Sequence, residues 1–293
     1  MNIQNKSIGS KIFNICNGII MTIVACVTLY PFMYQVARSF SSSAAIYAGK
    51  VTIFPVDFTL FTYKKVIVNP DFYLAYYNTI IYVVIGTIIS LVLSCMLAYP
   101  LSKPRLKIQK VLTPFIIFTM FFTAGLIPNY ILVSSLGLRN TIWSVVLPNS
   151  VSTYYLLIMR SFFNSLPVEL EEAASIDGMN TYGIFFKIIL PLSAPIISTM
   201  VLFYAVDMWN QWFNAFLYLN DKKMFPVALY LRGLIMELTG SREIGAESVA
   251  DVAQLETTML SCTIVLSSLP IICVYPFIQK YFVKGMMIGS VKG

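Results

Sequence analysis

The stretch Glu169, Glu171, Glu172, Ala173, Ala174, Asp177 and Gly178 brings acids, small residues and a glycine together at spacings that point to a specific task. The order is Glu172-Ala173-Ala174, three residues, Gly178, nine residues, then Ile188 and Leu190-Pro191. Catalysis by familiar nucleophile or metal schemes finds little support elsewhere. The chain has no histidine, which removes Ser-His-Asp triads, His-ligated metals and histidine proton relays. No G-x-x-x-x-G-K-[ST] occurs, so the chain does not supply its own P-loop. The cysteines Cys16, Cys26, Cys95, Cys262 and Cys273 lie in apolar stretches without the spacing of a disulfide framework or zinc site, and read as small core residues. No catalytic residue and no metal ligand is assigned. The chemistry left to the acidic stretch is recognition of another surface.

Its local grammar is that of a short helix over about 167–178. Pro167 suits a first helical turn, Glu169, Glu171 and Glu172 complement the positive end of the helix dipole, and Gly178 suits a left-handed residue just past the end. Helical spacing predicts Leu170, Ala173, Ala174 and Asp177 on one face, a low surface that lets another backbone come close. So short a helix is marginal in water and needs something to pack against. The apolar run Ile184-Phe185-Phe186 and then Leu190-Pro191 tie it to the membrane-spanning body.

That body is announced by composition. The 293 residues are 58% hydrophobic and 11% charged, with mean hydropathy +0.77, against about 25% charged for a soluble domain. The expectation is an all-α integral membrane protein, one domain over residues 1–293, with six spans at about 15–37, 76–99, 112–133, 141–159, 194–217 and 257–278. Pro31, Pro128, Pro148 and Pro276 fall near span ends, and Pro114 at the start of the third. The net charge of +7 reads as basic flanks facing anionic lipid, not as a nucleic-acid surface. Lys103, Arg105, Lys107 and Lys110 crowd the link between spans two and three without an acid, which places that link and both termini in the cytoplasm.

Ile23-Val24-Ala25-Cys26 looks like a lipoprotein cleavage box, but the chain stays apolar to Phe32 and reads as a full span. Long outer loops are expected at about 38–75 and 218–256. The second carries Arg232, Glu237, Arg242, Glu243, Glu247, Asp251 and Glu256, and reads either as a contact surface or as a solvated cap.

Beyond the acidic stretch, the chain holds Gly125-Leu126-Ile127-Pro128, Leu136-Gly137-Leu138, Asn140-Thr141, Met159-Arg160-Ser161-Phe162-Phe163, Trp209-Asn210-Gln211-Trp212-Phe213-Asn214 and Gln279-Lys280-Tyr281-Phe282-Val283-Lys284-Gly285. Together these resemble the permease subunits of carbohydrate ABC importers, similar to the smaller membrane subunit of the maltose importer and to the branch that takes up oligosaccharides from complex polysaccharides. The resemblance implies a type I importer permease fold in the bacterial cytoplasmic membrane. It implies as partners a second, different permease, two ATPase subunits that bind ATP and Mg, an extracytoplasmic sugar-binding protein and membrane lipid. It also implies that Glu172, Ala173, Ala174, Asp177, Gly178, Leu190 and Pro191 couple to the ATPase, and that a tail including Lys284, Gly285, Gly289 and Lys292 reaches between the ATPase subunits; a basic end lying at lipid headgroups is the other reading of that tail.

Asp207 is an acid inside the fifth span, and such a group is by default a functional hypothesis. Together with Asn210 it reads either as part of the substrate pathway or as an interhelix hydrogen-bonding group. Trp209 and Trp212 read as an aromatic belt at the headgroups. An ion-driven secondary carrier is the competing function, against which stand the absence of an evident repeat and of mid-membrane ionisable groups beyond Asp207. A membrane-embedded enzyme is opposed by the lack of histidine and of paired acids within the spans. The sequence does not name the cargo.

Overall fold

The structure is a computed structural model that describes residues 8–243 and 258–274. Among these residues there is no β-strand, and the chain is built from helices. In order they are α1 (Ile8–Ser39), α2 (Ser43–Tyr47), α3 (Phe61–Val68), α4 (Pro70–Leu101), α5 (Gln109–Phe121) and α6 (Leu126–Ser135). There follow α7 (Ile142–Val146), α8 (Thr153–Ser165), α9 (Glu169–Ile176), α10 (Thr181–Ile184), a π-turn over Phe185–Ile189, and α11 (Leu190–Leu192). The rest are α12 (Ala194–Trp209), α13 (Phe213–Tyr218), α14 (Val227–Glu243) and α15 (Thr258–Val274).

Among the described residues, only α1 and α4, each of 32 residues, are long and apolar enough to cross a bilayer as single helices. Two bent pairs reach that standard jointly. The expected third span is α5 plus α6, bent by 112°. Its corner is explained by Gly125, whose φ of +87° and ψ of 178° suit glycine alone, preceded by extended Phe122. The expected fifth span begins at an elbow of 79° between the segment Thr181–Leu192 and α12, and its helix stops at Trp209, with a link at 210–212 before α13. The expected fourth span is likewise two pieces: α7 ends ahead of Pro148, which has no N–H to extend the helix, and α8 starts only after Ser152 accepts a hydrogen bond from Tyr155 N. α15 covers 258–274, and the last residues of the expected sixth span lie outside the described residues.

The expected outer loops hold more helix than anticipated. α2 and α3 lie in the first, α4 starts already at Pro70, and α14 fills much of the described part of the second. Pro31 lies well inside α1. Cys95 and Cys262 are buried as expected, but Cys16, Cys26 and Cys273 sit on exposed helix faces.

Contacts divide the chain into two compact units, Met1–Asn69 with Leu231–Ser268, and Pro70–Tyr230 with Leu269–Gly293. In the first, α1 is exposed from Ile8 to Tyr30 and packs only near its end, where Ala37 joins a small core with Ala45 and Val51. Ser39 and Tyr63 share a hydrogen bond of 2.8 Å there, and Ser261 Oγ donates to Gln35 Oε1 at 2.9 Å. In the second unit α4 is the central post, flanked by α8 and α12. It lies tight against α12 at Gly86, where a Cβ would meet Met208 Sδ at 2.7 Å.

Candidate functional site

The acidic stretch folds as α9, which ends in a complete Schellman motif. Gly178 has φ +79°, its N–H donates to Ser175 O at 3.1 Å, and Met179 N donates to Ala174 O at 2.9 Å. The left-handed glycine predicted from sequence is therefore in place. Pro167 is not in the first turn: it precedes Val168, whose carbonyl accepts from Glu171 N and Glu172 N at 3.0 and 3.1 Å.

The face predicted for α9 divides in two. Ala174 and Glu171 are buried, at 5% and 7% exposure, whereas Leu170, Glu172, Ala173, Ile176 and Asp177 are exposed. Ala174 belongs to one buried cluster with Ala98 and Tyr99 of α4, Met159 and Phe163 of α8, Ile184 and Ile189 beyond α9, and Met200 and Tyr204 of α12. Glu171 accepts a salt bridge from Lys103, which also lies over the Tyr99 ring at 4.7 Å from its centroid. Arg160 Nε donates to Leu101 O at 2.8 Å, closing an orphan carbonyl at the end of α4. The inner face of α9 is thus anchored by packing, an ion pair and a braced α4 terminus. The outer face is exposed among the described residues and carries apolar groups, with Val168 at 52% and Ile176 at 86% exposure.

After α9, Asn180 Oδ1 accepts from Gly183 N at 2.8 Å and starts α10. Pro191 cannot donate to the helical ladder, and just before it the helix widens: Leu190 N donates to Phe185 O, five residues back, over the π-turn. Leu190 packs against the same buried cluster, whereas Pro191 is exposed beside the elbow at Ser193. A cavity of about 660 Å³ opens beside this segment, walled by Met96, Pro100, Leu106 and Phe186 with Lys103 and Arg105 on its rim.

Asp207 and Asn210 lie elsewhere, at the far end of α12. Both are exposed, and Tyr155 Oη of α8 donates to Asp207 Oδ2 at 2.9 Å. Asn210 Nδ2 donates to Val206 O at 2.9 Å. Trp209 and Trp212 are partly buried against protein: Trp209 meets Tyr76 edge-on at 5.6 Å, and Trp212 packs with Tyr82, Val145 and Ala215. The tail residues Lys284, Gly285, Gly289 and Lys292 lie outside the described residues. Sequence reasoning passed over Lys103 as a partner of Glu171, Arg160 as a cap and Tyr155 as the donor to Asp207. Charge signs alone hinted at the first, since Lys103 is a base in a link without acids and Glu171 an acid in a loop of acids; nothing local signalled the other two.

A family model described as "Binding-protein-dependent transport system inner membrane component" matches residues 90–287. Protein LplC of Bacillus subtilis is 41% identical over 285 residues, covering 97% of this chain and 96% of that protein. The polygalacturonan/rhamnogalacturonan transport system permease protein YtcP of the same organism is 39% identical, covering 92% and 94%. A chain from the crystal structure of a bacterial ABC transporter involved in the import of the acidic polysaccharide alginate superposes with TM-score 0.86 and 35% identity, covering 94% of this chain and 98% of that one. With α9, its glycine cap and the following Leu190-Pro191 lying inside the matched region, the chain belongs to the family of inner membrane components of binding-protein-dependent transport systems.

Proposed function

We propose that this chain is a six-span permease subunit of an ATP-driven importer, that its cargo is an oligosaccharide delivered by an extracytoplasmic binding protein, and that α9 is the coupling helix. The observation that carries the reading is the asymmetry of α9. Its inner face is locked into the cluster that joins α4, α8 and α12, while its outer face, with Leu170, Glu172, Ala173 and Asp177, is exposed among the described residues. A helix of eight residues does not hold a bare apolar face in water without purpose. In this reading a cytoplasmic ATPase covers that face, ATP and Mg sit on two such partners, and closure of the pair moves α9 with the cluster behind it as a rigid body. Both termini are on the cytoplasmic side, a second and different permease completes the pathway, and the tail containing Lys284, Gly285, Gly289 and Lys292 reaches toward the ATPases. The carbohydrate assignment is supported by relatives named for polygalacturonan/rhamnogalacturonan, arabinooligosaccharide and melibiose/raffinose/stachyose transport.

The test is Gly178→Pro in the purified complete transporter. Proline at this position removes the N–H that closes the Schellman motif and forbids a φ of +79°. The expected outcome is a complex that fails to assemble or hydrolyses ATP without uptake; uptake at the wild-type rate would overturn the assignment of α9.

A further inference from the structure

Asp207 lies about 20 Å along α12 from Ala194 by helical rise, and it is exposed on this chain. A carboxyl group at that depth faces protein or water, not hydrocarbon. Three residues on, the helix gives way to the link at 210–212, and irregular backbone at membrane depth is found where protein covers it or water reaches it. Two separate features, a charge-bearing side chain and a broken helix, therefore mark this end of α12 as polar.

The groups around it have a definite chemical character. The Tyr155 ring is held by a stack on Phe203 at 5.3 Å and an edge contact with Tyr204 at 5.0 Å, and Tyr204 is pinned by a 2.5 Å hydrogen bond with Ser94. Tyr155 thus aims its hydroxyl at Asp207 and fixes the carboxyl orientation. Among the described residues Asp207 has no cation within 4.0 Å, so its remaining acceptor positions are open to a donor from outside. Asn210 donates to Val206 O, and its amide oxygen is an acceptor. Tyr154, with 56% exposure, stands next to Tyr155 at 5.8 Å between ring centroids. This end of α12 offers acceptors, with the exposed Tyr154 ring beside Tyr155, and no cation within 4.0 Å of Asp207 among the described residues.

We propose that Tyr154, Asp207 and Asn210 form a pathway subsite for an uncharged sugar unit, with Tyr155 as its positioning residue. Sugar hydroxyls donate to Asp207 and Asn210 while the apolar face of the ring lies against Tyr154. A uronate replaces the C6 hydroxyl donor by a carboxylate, which meets Asp207 as a like charge and is disfavoured there. The subsite rests on the carbohydrate reading above.

The experiment uses the complete transporter in proteoliposomes, with its binding protein, and labelled arabino-oligosaccharides, galacto-oligosaccharides and oligogalacturonates of equal length. The expected result is faster uptake of a neutral series by wild type. Asp207→Asn and Tyr154→Ala each lower that uptake about tenfold, with complex yield unchanged. Asp207→Asn also narrows the neutral-to-uronate ratio. Tyr155→Phe lowers neutral uptake about fivefold, as expected for one lost hydrogen bond, without changing the maximal rate of ATP hydrolysis. Preferred uptake of oligogalacturonate by wild type, unchanged uptake by both Asp207→Asn and Tyr154→Ala, or loss of the second permease from the Asp207→Asn complex would overturn the subsite; the last would make Asp207 a packing group. Uptake of none of the sugars by a wild-type complex that hydrolyses ATP normally would instead overturn the carbohydrate reading itself.

Discussion

At α9 the inward carboxylate, Glu171, meets the cation Lys103, and the small residue beside it, Ala174, is enclosed by the cluster around Tyr99 and Phe163. At the end of α12 the carboxylate Asp207 meets, among the described residues, the neutral hydroxyl of Tyr155, and Tyr154 and Asn210 are exposed. The first arrangement uses polar groups to fasten a helix to its own chain, and the second leaves them open to something that arrives and departs. A carboxylate therefore serves anchoring or transient contact according to whether a cation closes its acceptors.

The comparison breaks first at α9. Ala173→Phe should abolish ATP-driven uptake while leaving the thermal midpoint of the purified permease pair near wild type, because Ala173 points away from the body. Ala174→Phe, one residue on, should lower that midpoint, since overpacking a buried site costs about 1–3 kcal/mol. Equal effects of the two would erase the distinction between inner and outer face. Next in size, Lys103→Met should destabilise the permease by about 3 kcal/mol, because it strands a mostly buried Glu171. Adding Glu171→Met should recover most of the loss in a double-mutant cycle. Failure to recover would show that the pair is not what fastens α9. Smaller still, Gly178→Ala should cost about 1–2 kcal/mol by forcing a side chain into the left-handed region, read as a modest fall in midpoint with uptake retained.

Much of α9 was legible because its determinants are local. Capping glycines act on the four or five residues around them, so Gly178 could be read in place. That α1 and α4 are long apolar helices was legible for a similar reason, as such runs have few other solutions in a bilayer, although they begin at Ile8 and Pro70, ahead of the expected spans. The corner at Gly125 was less so, since Gly-Leu-Ile-Pro is apolar throughout and hydropathy does not register a φ of +87°. The bridge from Lys103 to Glu171 joins residues 68 positions apart, and the hydrogen bond from Tyr155 to Asp207 spans 52. Neither follows from periodicity, because each depends on how α4, α8 and α12 are stacked. The division of the α9 face had the same origin: spacing grouped Ala173 with Ala174, and only the position of the cluster decides which of them turns inward.

The elbow at Ser193 sets a gearing between these two regions. The arm Thr181–Leu192 is about 18 Å long and α12 about 24 Å, joined at 79°. If both move as stiff rods about Ser193, they behave as a bell crank. A displacement at the α9 end of the arm then reaches the Asp207 end of α12 turned through nearly a right angle and about one third larger. Spin-label distances taken from α9 and from Asn210 to a fixed point on the second permease, with and without ATP, would reveal that ratio. Equal displacements in one direction would mean that the rods slide instead of turn.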